Sequence, residues 1–586
     1  MAATTLVIVI GLAIYALFYM THGKYIEKNV AKVDPKRETP AKRLYDGVDY
    51  VPANKYVLYG HHFASIAGAG PIVGPALALA WGWLPTLLWV WFGNVFIGVV
   101  HDYLALMSSV RYDGRTIGWI AGRLMSRRAF FAFNAYIWFA LLLVVAVFIV
   151  VVTALFTYIP GTATASLLFI VIAVLTGILM YRTPLGFKGA TVIGLVLLVA
   201  AIFTGVYFPL KLDYYTWVVI LAIYCIIAAS LPVWVLLQPR DYLNAYILWA
   251  SLAIGGIAAI LAFRGMELPT VTTLTEAKVV GGQPSPFWPT IPLVVACGAL
   301  SGFHSLVGSG TSSKQLANEA HGLLVGYGGM LTEGFLSTMV IALLGGFGLT
   351  ALANAGVKPD IIETLKDPMV FAAKWTSVLK GAKWFVVIPH SYAAATSEVL
   401  HLPYDAMTVF GALWISAFAL TSLDTATRLG RFAWQELMEP LKKASPGAYN
   451  VLANRWVASI ILVVIGAALS WTKLWSVLWP AFAGMNQLLA SLALMTISLW
   501  VVKIQKAPPL GKGLTLTPAF FLWITVTIAL IWYEIVVVPP MLAAGGMKAA
   551  TGIAVGIITG IGLVLNIMLL IDFLLAYRRP EATASS

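Results

Sequence analysis

Polar residues in this chain are sparse and bunched, and between the bunches lie runs of about twenty apolar residues, the length a helix needs to cross a bilayer. Such runs fall at 3–22, 58–80, 84–107, 130–158, 164–181, 189–210, 216–238, 242–263, 290–313, 324–352, 404–424, 455–471, 475–500, 515–537 and 551–577. They are continuously apolar and do not alternate, which sets them apart from the strands of a membrane barrel. The pattern predicts an all-α polytopic membrane protein with about fifteen transmembrane helices.

One run breaks its own pattern. Residues 61–75 read HHFASIAGAGPIVGP, with Gly68, Gly70, Pro71, Gly74 and Pro75 inside eight positions. Proline removes a backbone donor and clashes with the preceding turn, so the cluster predicts a helix unwound near Gly68 to Pro71. Unwound backbone at membrane depth is tolerated where it lines a protein cavity, and in transporters such discontinuities hold substrate and coupling ions. The plainer reading is that small residues let helices pack closely. A second stretch, FHSLVGSGTSSK at 303–314, shares F-x-S-x-x-G-x-G with the first, matching Phe63, Ser65, Gly68 and Gly70 to Phe303, Ser305, Gly308 and Gly310. By the span count these two run in opposite directions, as an inverted repeat requires. A competing pairing sets 66–90 against the seventh run, and both stay open.

Composition supports the membrane class. The chain is 60% hydrophobic and 10% charged, against about a quarter charged in soluble domains. The net charge of +13 is a matter of topology. With the N-terminus outside, the loops at 23–57, 108–129, 182–188, 239–241, 314–323, 425–455 and 501–514 and the C-terminal tail are cytoplasmic. They carry 27 of the 37 Lys and Arg residues, the positive-inside asymmetry. That removes the reason to invoke nucleic acid. No G-x-x-x-x-G-K-[ST] is present, so an ATP motor has no cradle here. The first run lacks a charged leader and is read as an uncleaved span. Cys225 and Cys297 lie in apolar segments and read as small core residues. No cofactor and no metal site is expected. The segments 264–289 and 353–403 are external, the second carrying amphipathic pieces suited to the interface or to re-entry. The chain divides into an N-terminal span and basic loop (1–57), a transporter core (58–425) and C-terminal membrane helices (426–586).

Ionisable residues inside spans are costly and mark candidate function. His61 and His62 precede the break, and neutral-range titration suits them to proton coupling. Adjacent residues on a helix point about 100° apart, so for one of the two a structural partner is the plainer reading. His101 and Asp102 close the third run, His304 and Lys314 flank the second glycine cluster, and Glu333 and Glu534 have no sequence-local partner. Asp424 is followed by Arg428, which invites a structural ion pair. Thr311, Ser312 and Ser313 offer hydroxyls for a hard cation such as Na⁺, and Lys314 offers an ammonium in its place. The candidate substrate site is Ser65, Gly68, Ala69, Gly70, Pro71, His304 and Ser305. The ion or proton set is His61, His62, Thr311, Ser312, Lys314 and Asp424. A metal centre built from His61, His62, His101 and Asp102 is a reading of another class, and its adjacent pairs lack the i, i+4 spacing that puts two ligands on one face. A channel is a third.

The pieces DGVDYVPANKYVLYGHHFASIAGAGPIVGP (46–75), HDYLALMSSVRYDGRTIG (101–118), QPRDYLNA (238–245), SGFHSLVGSGTSSKQLANE (301–319) and TSLDTATRLGRF (421–432) together resemble the carbon starvation protein A family. The resemblance runs over roughly residues 5 to 500. It departs at Ser313, where the family pattern places a proline. The resemblance implies a secondary transporter of the bacterial inner membrane, taking up peptides or pyruvate-like carboxylates with H⁺ or Na⁺. It also implies a five-plus-five inverted-repeat core of the leucine-transporter type. Counted from 58–80, the broken partner becomes 216–238, and 290–313 becomes the eighth core helix, with Thr311 and Ser312 at an ion site.

Overall fold

The computed structural model describes residues 3–295, 297–471 and 475–579; the expected external turn at 472–474 lies outside them. A bilayer core has no water to pair backbone groups, so an apolar run must close its hydrogen bonds within its own segment, as a helix does. Among the described residues there is no strand, only isolated bridges at Ala53–Leu316 and Lys278–Pro284. The helices are α1 (Ala3–Ala31), α2 (Lys55–Ala67), α3 (Gly70–Trp81), α4 (Trp83–Arg111), α5 (Arg127–Tyr158), α6 (Pro160–Met180), α7 (Gly186–Tyr207), α8 (Tyr214–Ser230), α9 (Leu237–Ala262), α10 (Gly302–Gly310), α11 (Glu319–Asn354), α12 (Pro368–Gly381), α13 (Trp384–Leu400), α14 (Tyr404–Met438), α15 (Arg455–Trp471), α16 (Phe482–Ile504), α17 (Pro509–Ala543) and α18 (Gly546–Arg578). The long α5 and α14 pack together and are buried along most of their length. Exposed Val192, Val196, Val199, Ile557, Ile561 and Val564 face outward from α7 and α18, as a lipid-facing surface does.

Among the described residues, eleven helices are long and apolar enough to cross a membrane, or up to thirteen if α2 with α3, and Pro446–Leu452 with α15, each count as one bent span. The expected fifteen is thus not reproduced. Against the count of thirteen, two expected spans account for the difference. Helix α8 ends at Ser230, after 17 residues, because Pro232 interrupts the run. The stretch 290–313 is discontinuous: a turn at Ile291–Leu293, bends at 297–299, extended backbone at Ser301, then the nine residues of α10. Nor is 353–403 all surface loop. Helix α13 packs against α11 and α14, with Val387 and Tyr392 fully buried and the Tyr392 hydroxyl donating to Ser251 O at 3.2 Å.

The break predicted in 61–75 is present. Helices α2 and α3 meet at 41°, joined through Gly68 at φ +39°, ψ −155°, a conformation that needs glycine. Pro71 lies in the first turn of α3, where its missing N–H leaves nothing unpaired. The second unwound segment lies directly on this break. A Cβ at Gly70 would fall 2.7 Å from Cys297 Cβ, and one at Gly74 would fall 2.6 Å from Val294 O; bare backbone is what allows the contact. Side chains satisfy the freed carbonyls. Ser337 Oγ donates to Pro71 O at 2.8 Å, and Asn94 Nδ2 donates to Gly298 O and Met330 O, each at 2.8 Å. Val294, Val295 and Cys297 are thus the residues that meet the break; the expected span 216–238 is itself interrupted after Ser230, and α8 packs on α5, α14 and α15.

Candidate functional site

Residues 57–82 are buried without interruption. Polar groups at that depth must find partners inside the protein, and they form two clusters on either side of the joined breaks.

The first cluster centres on His61. Its Nδ1 donates to Asp241 Oδ2 at 2.5 Å, and its Nε2 lies 3.2 Å from Thr311 Oγ1, whose hydroxyl can also donate to Val307 O at 3.0 Å. Rotation of one hydroxyl thus satisfies the ring with one proton or with two. Asp241 pairs with Arg240, and Arg240 pairs with Asp424. Tyr224 OH donates to Asp424 Oδ2 at 2.9 Å and accepts from Arg240 Nη1 at 2.5 Å. Ser65 Oγ stands 3.1 Å from Thr425 Oγ1 and 3.4 Å from His61 Nδ1, and Ser422 Oγ donates to Ser65 O at 2.8 Å. One network of buried charge thereby links α2, α8, α9, α14 and the turn after α10. His62 faces the other way, with Nδ1 2.8 Å from Ser312 Oγ. A Cβ on Gly329 would stand 2.9 Å from its Cδ2.

The second cluster joins α4, α10, α11 and the unwound segment. Asp102 Oδ1 accepts from His101 Nδ1, and its Oδ2 accepts from His304 Nδ1, each at 2.8 Å. His304 Nε2 approaches Glu333 Oε2 at 3.4 Å, and the Cys297 thiol lies beside both. Ser305 is buried too, but its hydroxyl donates to Gly302 O at 2.7 Å, its own turn.

The candidate residues therefore divide. His61 and Thr311, and His62 and Ser312, are brought together; Gly68 to Pro71 form the break. Lys314 is not brought to the hydroxyls. Its ammonium sits 3.4 Å from the centroid of Phe432 and 5.5 Å from that of Tyr50. Asp424 pairs with Arg240 rather than Arg428. Arg428 and Arg431 instead hold Asp49 of the 44–54 loop at 2.7 and 2.8 Å, while Val51 N and Ala53 N donate to Lys314 O and Gln315 O at 3.2 and 2.9 Å. Burial alone would raise the Asp49 carboxyl, but the charges of Arg431, Arg428 and Lys314 outweigh it and hold it well below the usual carboxylate range.

A depressed carboxylate stabilises the fold above its unfolded value, about pH 4, and that contribution is lost as pH falls through the lower folded value. Asp49→Asn is expected to destabilise the fold at pH 7 by about 2–3 kcal/mol of charge-assisted hydrogen bonding, seen as a lower melting temperature. The gap from wild type should begin to narrow as pH falls below about 4 and close toward the lower folded value. Melts of the purified chain across pH check this; a gap independent of pH down to full protonation would contradict it.

Residues 3–530 match the family described as carbon starvation protein CstA. The chain belongs to that family. The peptide transporter CstA of Escherichia coli is 34% identical, over 85% of this chain and 77% of the relative. That of Bacillus subtilis is 32% identical over 91% and 90%, and the pyruvate/proton symporter BtsT of Escherichia coli is 31% identical over 89% and 81%. Among solved structures, a manganese transporter of Eremococcus coleocola matches at 11% identity and a TM-score of 0.43, over 91% of this chain and 99% of that one; so distant a likeness carries no argument. As a CstA family member the chain is a multi-pass membrane transporter rather than an enzyme.

In this CstA family member, Arg240, Asp241 and Tyr224 belong to the first cluster, yet sequence reasoning assigned 239–241 to a cytoplasmic loop. In the structure 239–241 lies inside α9, with Pro239 in its first turn, where proline is compatible with a helix. The signal available was QPRDYLNA itself, an Arg–Asp pair between two apolar runs. Cys297 was read as a core residue, and its neighbours come from other elements, so spacing gives no hint of them.

Proposed function

We propose that this transporter imports small carboxylates, pyruvate or short peptides, by proton-coupled alternating access, in a bacterial inner membrane with its N-terminus outside and its C-terminus cytoplasmic. The observation that supports this most is the His61–Asp241–Arg240–Asp424 network. It places a proton-accepting ring, able to be satisfied with one proton or two, within two turns of the unwound backbone at Gly68. The amides of Ala69 and Gly70 at the start of α3 suit a substrate carboxylate. A proton arriving at His61 or Asp241 changes the charge that ties α2 to α9, and so biases which side of the break opens. Engagement of Thr311 and Ser312 by His61 and His62 favours this over a sodium site built from the same hydroxyls. The names of the CstA and BtsT relatives supply the substrate classes.

The experiment is uptake into proteoliposomes. Labelled pyruvate, or a labelled dipeptide, should accumulate under an inward proton gradient and not under a sodium gradient alone. His61→Gln and Asp241→Asn should each lose most of the gradient-driven uptake while retaining counterflow exchange. Uptake indifferent to the pH gradient would end the coupling reading. Uptake driven by sodium with His61→Gln unimpaired would return the hydroxyls to an ion site.

A further inference from the structure

We propose that Cys297, His304 and Glu333 form a binding site for a zinc-class transition-metal ion at the junction of the two breaks. Their ligand atoms lie within 4.8 Å of one another, and all three residues are buried. Ligands on a tetrahedral zinc stand roughly 3.4–3.8 Å apart, given bond lengths of about 2.0–2.3 Å. His304 and Glu333, at 3.4 Å, already meet that spacing, and small rotamer changes bring in the sulfur.

Three further observations point to an ion. First, neither Glu333 oxygen nor His304 Nε2 has a well-directed hydrogen-bond partner; they are left to their approach to each other, the Cys297 thiol and the Gly298 amide. Unpaired polar atoms at this depth are costly, and a cation satisfies all of them together. Second, Asp102 accepts from His304 Nδ1 at 2.8 Å, which fixes the tautomer and turns the Nε2 lone pair toward the other two ligands, the carboxylate–histidine–metal arrangement. Third, a thiolate and the Glu333 carboxylate neutralise the charge of a divalent ion, while the Asp102 carboxylate is held by the ring N–H groups of His101 and His304. Binding exchanges the thiol proton, and any proton shared by His304 and Glu333, for the metal, so affinity falls in acid. Sulfur and imidazole select against Na⁺, Mg²⁺ and Ca²⁺. Three protein ligands leave a fourth position open. The site stands independently of the proton-coupling reading, which rests on the other cluster.

The test uses the full chain, purified in detergent, chelated and then reloaded with Zn²⁺ or Co²⁺. About one ion per chain is expected by elemental analysis. The cobalt form should show a thiolate-to-cobalt charge-transfer band and the intense visible bands of four-coordination. Cys297→Ser should abolish the charge-transfer band, and Cys225→Ser, at the chain's other cysteine, should keep it. Asp102→Asn should weaken binding about 10–100-fold. If Cys297→Ser fails to fold, X-ray absorption on the zinc-loaded wild type decides: one sulfur in the first shell supports the site, and a shell of nitrogen and oxygen alone overturns it. Absence of stoichiometric metal and of cobalt bands in folded, transport-active protein also overturns it, and leaves His304 and Glu333 as a proton-sharing pair.

Discussion

Replacing Arg240 with methionine is expected to be the most damaging single change in this transporter, costing about 3–5 kcal/mol of folding free energy. Arg240 is almost wholly buried and holds two buried carboxylates, Asp241 and Asp424, with Tyr224 bridging to the second. Without the guanidinium both carboxylates remain at depth, and only His61 stays as a partner for Asp241. Against a typical margin of about 5–15 kcal/mol the loss should appear as poor yield and a sharply lowered melt. The double variant Arg240→Met with Asp424→Asn removes one stranded charge and should recover part of the loss, a coupling of about 0.5–3 kcal/mol. Arg240→Lys should fall between, because an ammonium keeps the charge but lacks the planar, bidentate fork of the guanidinium. Thermal unfolding and size-exclusion profiles of the detergent-purified chains measure all three. An Arg240→Met protein melting within about 1 kcal/mol of wild type would mean that water reaches the network and that it is not the buried tie described here.

The helices were legible because a bilayer imposes one rule on every segment, so hydrophobic length alone marks most of them. The break at Gly68 was legible for the converse reason: glycine and proline together act locally, through the chain's own dihedrals and donors. What spacing left hidden is what long-range packing decides. The opposed break around Cys297 and Gly298 follows Pro292 but reads as an apolar run, and its packing depends on Gly70 and Gly74 more than two hundred positions away. Asp424 was expected to pair with Arg428 one helical turn on; both instead reach across the bundle, to Arg240 and to Asp49. Lys314 follows Thr311 to Ser313 in sequence, yet the 3₁₀ turn at Ser312–Lys314 swings it toward Phe432 and away from the hydroxyls. Partner choice among buried charges is set by desolvation, which punishes any unpaired group, and sequence neighbours have no privilege in that competition.

Gly68→Ala is expected to abolish uptake in chains that still insert. Two costs coincide at this position. The backbone at φ +39°, ψ −155° is open essentially to glycine alone, a strain of about 1–3 kcal/mol for any other residue. A Cβ would also stand 2.9 Å from Phe148 Cζ and 3.1 Å from Ser422 Oγ. Ser422 is the donor to Ser65 O, so pushing it aside disturbs the first cluster directly. Gly74→Ala presents a different obstacle, with Val294 O at 2.6 Å and Val295 Cα at 3.0 Å. These are backbone atoms that cannot rotate away, and overpacking of this kind costs about 1–3 kcal/mol while forcing the two breaks apart. The pair can be separated by a second change. Phe148→Leu should relieve the steric part of Gly68→Ala and leave its backbone strain, so rescue will be partial, whereas Gly74→Ala should gain nothing from it. Gly447→Ala, with no atom within 4 Å of its added Cβ, is the control and should stay within about 0.5 kcal/mol of wild type. Uptake in proteoliposomes, normalised to inserted protein, ranks the variants. If Gly68→Ala and Gly74→Ala transport as well as Gly447→Ala, the contact between the breaks plays no part in the transport cycle, and the substrate path must be sought elsewhere in the bundle.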